Sequence, residues 1–206
     1  MKTILFVFAT LSLLASPAFA GLSEGEEAYD REDYVTALKH FMPLAQKGDS
    51  RAQNHLGVMY LNGQGVPKSR EEAAKWYQLA ADQGLPLAQY NLGVMYKNGQ
   101  GVPQSDQEAV KWYRLAADQG NSTAQLVLGL MYAEGEGVPE NMIVAYALVS
   151  LAAASEPNDD FLQSNRDNLA GKISKEHLDI AQALSLEIQK PGNLLVALDE
   201  FLNRSR

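Results

Sequence analysis

Histidine is the residue type in this sequence that best suits metal binding and proton transfer, and the chain has three, His40, His55 and His177. A zinc-binding helix places two histidines on one face, as in H-E-x-x-H, so that both imidazoles reach one ion. None of the three has a partner at such a spacing. The sequence therefore predicts no metal site, and no other motif in it predicts a cofactor.

Carboxylates and thiols offer no better candidates for catalysis. Glu26-Glu27 and Asp159-Asp160 are adjacent pairs, but neighbouring residues diverge on a helix, so the carboxylates of a pair do not face one substrate. We interpret them as surface or capping residues. The chain has no cysteine, which excludes a thiolate nucleophile, a thiolate metal site and disulfides together. The prediction is a protein that is not an enzyme.

Three Gly-x-Gly pairs, at 63–65, 99–101 and 135–137, resemble phosphate-binding loops in composition only. No Lys-Ser or Lys-Thr follows directly after the second glycine, so the groups that would hold a phosphate and its magnesium ion are missing. Met59, Met95 and Met131 have the same spacing, and we interpret them as core residues and not as a metal-binding array. These regular spacings indicate how the chain is organised.

The chain repeats itself every 36 residues. The repeated residues of the first copy are Ala52, Leu56, Gly57, Tyr60, Gly63, Gly65, Val66 and Pro67, then Ala73, Lys75-Trp76-Tyr77 and Leu79-Ala80-Ala81. The second copy begins at Ala88 and the third at Ala124, whose second half fades to Ala145 and Leu151-Ala152-Ala153. A fixed period of this length indicates stacked units that bury their apolar faces against their neighbours. Such a fold favours an extended binding surface over a catalytic pocket.

The residue pattern predicts two helices in each unit, and hence an all-α fold. Apolar residues such as Leu56 and Tyr60 recur at helical spacing, and the glycines and proline that follow end this first helix. Ser69 begins the second helix, where Ser69 and Glu72 form a capping-box pattern. Small residues such as Gly57 let neighbouring helices approach closely.

Residues 1–20 are predicted to be a signal peptide. Lys2 supplies the positive region, Ile4 to Leu14 the apolar region, and Ala18-Phe19-Ala20 a small-x-small cleavage signal. A membrane anchor is the alternative, but the apolar run is short for a bilayer span. The mature chain is expected to start at Gly21 and to be exported to a bacterial periplasm or secreted.

The ends of the repeat array are expected to differ from its middle. His40 and Phe41 replace the Trp-Tyr pair in the opening unit, which makes packing the expected role of His40. The tail beyond Pro191 is interpreted as a helix over the open end of the solenoid, with a dimerisation or partner helix as the alternative. The predicted units are a signal peptide at 1–20, an N-terminal capping unit at 21–51, repeats at 52–87, 88–123 and 124–159, and C-terminal capping helices at 160–206.

The charge balance limits the classes of partner. The formal net charge is −8, whereas nucleic acid and anionic lipid surfaces both attract basic patches. Nucleic acid is therefore not a predicted partner, and no stable membrane insertion is expected after signal cleavage. We interpret the acidic excess as a contribution to solubility, and the oligomeric state stays open.

The pattern A-x-x-x-L-G-x-x-Y-x-x-G-x-G-V-P, followed by A-x-K-W-Y-x-x-A-A-x-x-G, closely resembles the Sel-one-like repeat family, a longer-period relative of the tetratricopeptide repeats. The resemblance covers residues 21–190 and departs from the pattern where Leu148-Val149 stand in place of Trp-Tyr. It implies an α-solenoid of antiparallel helix pairs whose first helices line a concave face. It also implies an exported adaptor that binds a protein or peptide on that face.

Two alternative functions stay open. A cysteine-rich branch of the family is associated with binding or hydrolysing penicillin-like compounds, so a periplasmic β-lactam or cell-wall hydrolase is one alternative. A binding protein for sugars or peptidoglycan fragments is the other. This chain lacks the cysteines of that branch and the S-x-x-K, S-D-N and K-T-G motifs of serine β-lactamases. The adaptor is therefore the favoured interpretation.

Partner-binding residues are predicted at positions of the first helices that vary between the copies. Fixed positions are needed for stacking, whereas variable positions are free for recognition, with neutral drift at exposed sites as the alternative explanation. Tyr90 is the first candidate for a hot spot, because it is an aromatic residue at the middle of the expected groove. The predicted set is Asn54, His55, Leu61, Tyr90, Asn91, Lys97 and Leu126.

Overall fold

The computed structural model describes residues 17–190 and 192–204, with side chains described from Gly21 onward. These ranges contain eleven α-helices and no strand, which confirms the all-α prediction. The helices are α1 (Pro17–Asp30), α2 (Tyr34–Gln46), α3 (Ser50–Asn62), α4 (Arg70–Asp82), α5 (Pro86–Asn98), α6 (Asp106–Asp118), α7 (Ser122–Glu134), α8 (Met142–Ser155), α9 (Asp160–Ala170), α10 (Lys175–Ile188) and α11 (Leu194–Arg204).

Helices α3 to α8 form three stacked pairs, as the solenoid prediction requires. Each helix packs against the one before it and the one after it. We call α3, α5 and α7 the first helices, and α4, α6 and α8 the second helices. The pairs begin at Ser50, Pro86 and Ser122, two residues before the repeated alanines, because the capping residue of each first helix lies outside the repeated pattern. Asp49, for example, accepts hydrogen bonds from the backbone N–H groups of Arg51 and Ala52.

The turn between the helices of a pair ends one helix and caps the next. Gly63 ends α3 with a left-handed backbone, and the hydroxyl of Ser69 accepts from the N–H of Glu72 at 3.1 Å. The backbone N–H of Ser69 donates to the carbonyl of Tyr60 at 2.9 Å. That donor would otherwise bind the Glu72 side chain in a capping box. The serine half of the predicted capping box forms, but the glutamate half does not. The carboxylate of Glu72 pairs with Lys75 at 2.5 Å instead.

A glycine and a tyrosine form the contact between the helices of each of the first two pairs. A Cβ on Gly57 would lie 2.5 Å from the ring of Tyr77, and one on Gly93 would lie 2.7 Å from the ring of Tyr113. Both tyrosines are buried, and burial raises the pKa of each phenol above its ordinary value. The close approach predicted for the small residues is confirmed here. In the third pair Val149 takes the place of the tyrosine beside Gly129.

The opening unit is the pair α1 and α2, and it is packed by apolar side chains from both helices. Leu22 and Ala28 of α1 are buried, as is Phe41 of α2. His40 is partly exposed: its Cβ lies beside Gly25 of α1, and its Nδ1 lies 3.4 Å from a carboxylate oxygen of Glu24. Phe41 is the fully buried residue of the pair. Residues 1–16 of the predicted signal peptide lie outside the described residues.

The helices after the third pair leave the regular stacking. Both α9 and α10 pack on α8, and α11 lies against α10 and α6. Arg114 of α6 forms an ion pair with Asp199 of α11, and the N–H of Leu195 donates to Asp118 at 3.3 Å. The tail thus contacts α6, the second helix of the middle repeat, a different position from the end cap expected from the sequence.

In the described part of the chain, no helix has the length and apolar character that a bilayer span requires.

Candidate functional site

The predicted partner-binding residues all lie on the first helices, but they differ in exposure. His55, Leu61, Tyr90, Asn91 and Lys97 are partly exposed. Together with the partly exposed row Val58, Val94 and Leu130, which repeats at 36 residues, they form what we call the first-helix strip. Asn54 and Leu126 are only 5% and 6% exposed, so they contribute little surface to the strip.

Asn54 has a role between repeats. Its Oδ1 accepts a hydrogen bond from Nδ2 of Asn91 at 3.1 Å, which joins α3 to α5. A buried carboxamide without partners would be costly, and this bond satisfies one of its acceptor sites. The variation seen at this position in the sequence therefore reflects a local contact between two first helices.

His55 of α3 lies at the N-terminal end of the strip and contacts both α1 and α2. Its ring stacks on Phe41 with 4.5 Å between centroids, and its Nε2 lies 3.5 Å from a carboxylate oxygen of Glu26. Burial lowers the pKa of His55, and this effect outweighs the opposite effect of Glu26. The imidazole is thus a packed, mainly neutral group that joins the capping unit to the first repeat.

Tyr90 and Lys97 carry the strip across α5. The ring of Tyr90 packs against that of Tyr113 with 5.8 Å between centroids, so part of its surface serves the core. Lys97 pairs with Glu136, which follows α7. Both residues remain partly exposed and can still contact a partner.

The strip leads into a cavity of about 470 Å³ between α7 and α9, which we call the α7–α9 cavity. Leu130 and Ala133 of α7 line one side of it, and Asn165 and Asn168 of α9 line the other. Glu134, Glu140, Met142, Leu169 and Lys172 complete the lining.

The residues of α9 were not predicted from the sequence. The repeat pattern ends before α9, so an overlay of the copies cannot show which of its residues face the strip. One signal in the sequence pointed to this region. Ala133 is the residue of the third copy that corresponds to Leu61 and Lys97, and it lines this cavity.

The chemistry of this surface is that of recognition. It offers carboxamides, aliphatic side chains and a few charges. Among the described residues there is no group of three or more His, Asp or Glu side chains placed to hold a metal ion. The three histidines also lie on separate helices, α2, α3 and α10.

Helix pairs that repeat at a fixed period and stack on their neighbours define the class of helical-repeat solenoids. The family model described as Sel1 repeat matches residues 50–85, 86–121 and 122–156. The chain therefore belongs to the Sel1 repeat family. Repeats of this family generally serve protein–protein interaction, and proteins built from them are typically non-catalytic adaptors.

Solved structures with the same fold are similar over most of the chain. A protective antigen of uropathogenic Escherichia coli strains with an SLR fold is 29% identical, with a TM-score of 0.76 over 90% of this chain and 40% of that one. A Sel1 repeat protein from Oxalobacter formigenes is 33% identical, with a TM-score of 0.68 over 79% of this chain and 69% of that one.

The similarity to curated proteins is more local. DAP3-binding cell death enhancer 1 of Rattus norvegicus is 36% identical over 78 residues, which are 34% of this chain and 15% of that protein. The Mus musculus protein of the same name is 35% identical over the same shares. The chain thus matches only a small part of the length of these relatives.

Proposed function

We propose that this chain is an exported adaptor that binds an extended segment of a protein partner on its first-helix strip. One observation carries the proposal: a row of partly exposed apolar side chains continues from α3 across α5 and α7 into the α7–α9 cavity, with carboxamides at Asn91 of α5 and at Asn165 and Asn168 of α9. A surface of this length suits a peptide in extended form, and solenoids commonly present such surfaces.

The side chains of the strip and of the α7–α9 cavity match the needs of a peptide. An extended backbone presents N–H and C=O groups alternately, and carboxamides can both donate and accept. Asn165 already donates its Nδ2 to the carbonyl of Phe161 at 2.8 Å, which leaves its Oδ1 as an acceptor. Val58, Val94 and Leu130 offer apolar contacts for alternate side chains of the partner.

The charges of the α7–α9 cavity favour a basic residue of the partner at that end of the strip. Two carboxylates, those of Glu134 and Glu140, line the α7–α9 cavity with one cation, Lys172. The whole chain is also acidic. We therefore expect a Lys or Arg of the partner segment at this cavity, because opposite charges guide encounter and register.

Export is the second part of the proposal and is supported by the N-terminal residues alone. Cleavage after Ala20 would leave Gly21–Asp30 of α1 in the mature chain. Leu22 and Ala28 are buried in the opening unit, so this remaining part of α1 keeps its packing. No observation on the described residues favours the hydrolase over the adaptor.

Site-specific photocrosslinking tests the proposed binding face. A benzophenone amino acid is placed at Val94 or at Asn168 of the candidate surface, and at Leu79, an exposed residue on a second helix, as the matched control. We expect the same crosslinked protein from positions 94 and 168 and none from position 79. A crosslink from position 79 alone would place the partner on the opposite face, and an absence of crosslinks at all three positions in the exporting cell would contradict the adaptor.

A further inference from the structure

Helices α10 and α11 form a hairpin that carries an open groove. Residues 189–193 join the two helices, which pack on each other. The Nδ2 of Asn193 donates to the backbone carbonyl of Glu187 at 2.9 Å and so ties the connection to the end of α10. Two packed helices with so short a connection run antiparallel. The groove between them has a volume of about 520 Å³, and we call it the α10–α11 groove.

The floor and walls of this groove are mainly apolar. The apolar lining residues lie on one face of each helix: Ile180, Ala183 and Leu184 of α10, and Val196, Ala197 and Phe201 of α11. Val196 is 54% exposed and Ile180 is 39% exposed, so apolar surface stays open to solvent along the groove. Exposed apolar surface that is continuous in this way is typical of an interaction site.

The form of the hairpin indicates what could cover the groove. Two antiparallel helices with one apolar face are half of an antiparallel four-helix bundle, and a second hairpin would complete it. Ala183 and Ala197 line the groove, and their small side chains let facing helices approach closely. Other sides of the hairpin already have neighbours in the fold, because α10 packs on α8 and Asp199 of α11 pairs with Arg114 of α6.

The charges at the two ends of the groove fit a second copy of the same hairpin. Glu187 lines the end beside the connection, and Arg204 lines the opposite end. When two hairpins face each other in opposite directions, Arg204 of each copy lies at the same end as Glu187 of the other. Hairpins in the same direction would instead bring each charge to its own kind. Opposite charges favour the first arrangement, and like charges disfavour the second.

The ion pairs within one copy leave these charges available. Glu187 pairs with Lys190 at 2.7 Å, and Arg204 pairs with Glu200 at 3.2 Å. All four side chains are more than half exposed. A carboxylate accepts several hydrogen bonds and a guanidinium has several N–H donors, so Glu187 and Arg204 can each bind a group of another copy as well.

We propose that the chain forms a two-fold dimer through the α10–α11 groove, in which the hairpins of two copies pack in opposite directions as a four-helix bundle. Two-fold dimers are the commonest closed oligomers of soluble proteins. The dimer would carry two first-helix strips, and a partner with two binding segments would therefore be held more tightly than by one copy. The groove is separate from the first-helix strip and from the α7–α9 cavity, so this proposal and the adaptor proposal succeed or fail independently.

Sedimentation equilibrium of the protein purified from the exporting cell tests the dimer. Val196→Glu places a charge on the apolar lining, and because Val196 is exposed in the single chain the fold should be kept. We expect this variant to dimerise at least about tenfold more weakly than the unaltered chain. Phe161→Glu is the matched control, since Phe161 of α9 is 65% exposed and does not line the groove. It should dimerise like the unaltered chain.

Glu187→Arg and Arg204→Glu test the direction of the hairpins. Each variant alone places like charges together at both ends of the bundle, and each should dimerise at least about tenfold more weakly. An equimolar mixture of the two variants should dimerise like the unaltered chain, because each altered side chain then meets an opposite charge on the other variant.

Four results would overturn the proposal. The first is a chain that is still monomeric at about 1 mM, and the second is a dimer that Val196→Glu leaves unchanged. The third is a mixture of the two charge variants that dimerises no better than either alone. The fourth is a complex with a different protein that Val196→Glu abolishes, which would make that protein the occupant of the groove. If Val196→Glu fails to fold, the mixture of charge variants still decides, because both variants change exposed side chains.

Discussion

Gly101 lies directly against the backbone carbonyl of Arg70: a Cβ on this glycine would be 2.2 Å from that oxygen. The glycine also has a left-handed backbone, with φ of 71°. Arg70 begins α4, so the turn inside one repeat rests on the start of the second helix of the preceding repeat. Gly137 has the same relation to Asp106, at 2.6 Å. The glycine-rich turn is therefore a contact between repeats, which explains why it recurs with the period of the stack.

Substitution of Gly101 should destabilise the chain more than the backbone angle alone would. Gly84 has φ of +85° but open space around it, so Gly84→Ala reports the cost of the angle, about 1–2 kcal/mol. Gly101→Ala adds a clash with backbone, and we expect a total loss of about 3 kcal/mol or more. Urea unfolding of the two variants measures the difference. Equal losses would show that the turn moves away from α4 without cost.

The buried tyrosines should make the fold sensitive to alkaline pH. Burial raises the pKa of Tyr77 and Tyr113 in the folded chain above the ordinary value of 10. The folded state then holds protons that the unfolded state loses, so stability is full below pH 10 and falls as the pH rises above it. The slope should reach about 1.4 kcal/mol per pH unit for each tyrosine.

Phenylalanine variants provide the test of this alkaline effect. Tyr77→Phe and Tyr113→Phe remove the titrating group and keep the ring beside Gly57 and Gly93. The free energy of unfolding, measured in urea between pH 9 and 11, should decline less steeply in each variant. A decline as steep as that of the unaltered chain would assign the effect to other groups.

His55 should weaken the opening unit at acidic pH. Burial lowers its pKa in the folded chain, so the unfolded state takes up a proton first as the pH falls below the ordinary histidine pKa of about 6.5. Stability is full above that pH and is lost as the pH falls through the lower, folded-state pKa. His55→Phe keeps a ring on Phe41 and should remove this part of the pH dependence. Thermal unfolding between pH 7 and 5 measures it, and an unchanged pH profile in the variant would contradict it.

The sequence was sufficient to predict the helix pairs because each local signal agrees with the packing. The spacing of Leu56 and Tyr60, the serine cap at Ser69 and the paired small and large residues Gly57 and Tyr77 all specify one arrangement, which the next repeat uses again. The hydrogen-bond partner of the Glu72 carboxylate was not predictable in the same way. Whether its carboxylate binds the Ser69 backbone depends on the distant carbonyl of Tyr60, which only the folded turn brings near.

The candidate site was predicted less completely for a related reason. Comparison of the copies separates fixed from variable positions, but it does not separate exposed from buried ones. Asn54 varies and is nevertheless buried, because it bonds Asn91 of the next repeat. The residues of α9 have no counterpart in the overlay. Likewise, the contact of α11 with α6 depends on a chain path that no periodic pattern encodes.

Cleavage of the N-terminus after Ala20 should leave the fold intact. The described side chains of α1 begin at Gly21, and Leu22 is 2% exposed, so the mature chain keeps this anchor. N-terminal sequencing of the protein from the exporting cell should begin at Gly21. A chain that starts at residue 21 should melt like the cleaved protein, whereas Leu22→Ala should cost about 2 kcal/mol or more. Recovery of Met1 in a membrane fraction would contradict the export proposal.

Substitutions on the first-helix strip and at the α7–α9 cavity should weaken partner binding. The contacts that each side chain makes within the fold decide which variants are informative. Tyr90→Ala is expected to weaken binding, but it also removes the packing against Tyr113 and must be compared at equal folded fraction. Asn168→Ala and Lys172→Glu change exposed side chains of the cavity and should leave stability within about 0.5 kcal/mol. If these residues are hot spots, each should weaken partner binding by more than about 1 kcal/mol.

The control for this prediction must lie on the second helices and must not disturb the fold. Arg114→Ala is unsuitable, because Arg114 holds α11 through Asp199 and also donates to the hydroxyl of Tyr132 at 3.2 Å. Gln78, its equivalent in the first repeat, donates to Asp82 within its own helix at 2.8 Å, and among the described residues its side chain has no other hydrogen bond. Gln78→Ala should therefore leave both stability and partner affinity unchanged. If Gln78→Ala abolishes binding while Asn168→Ala and Lys172→Glu bind normally, the partner lies on the second helices and the assignment of the first-helix strip is wrong.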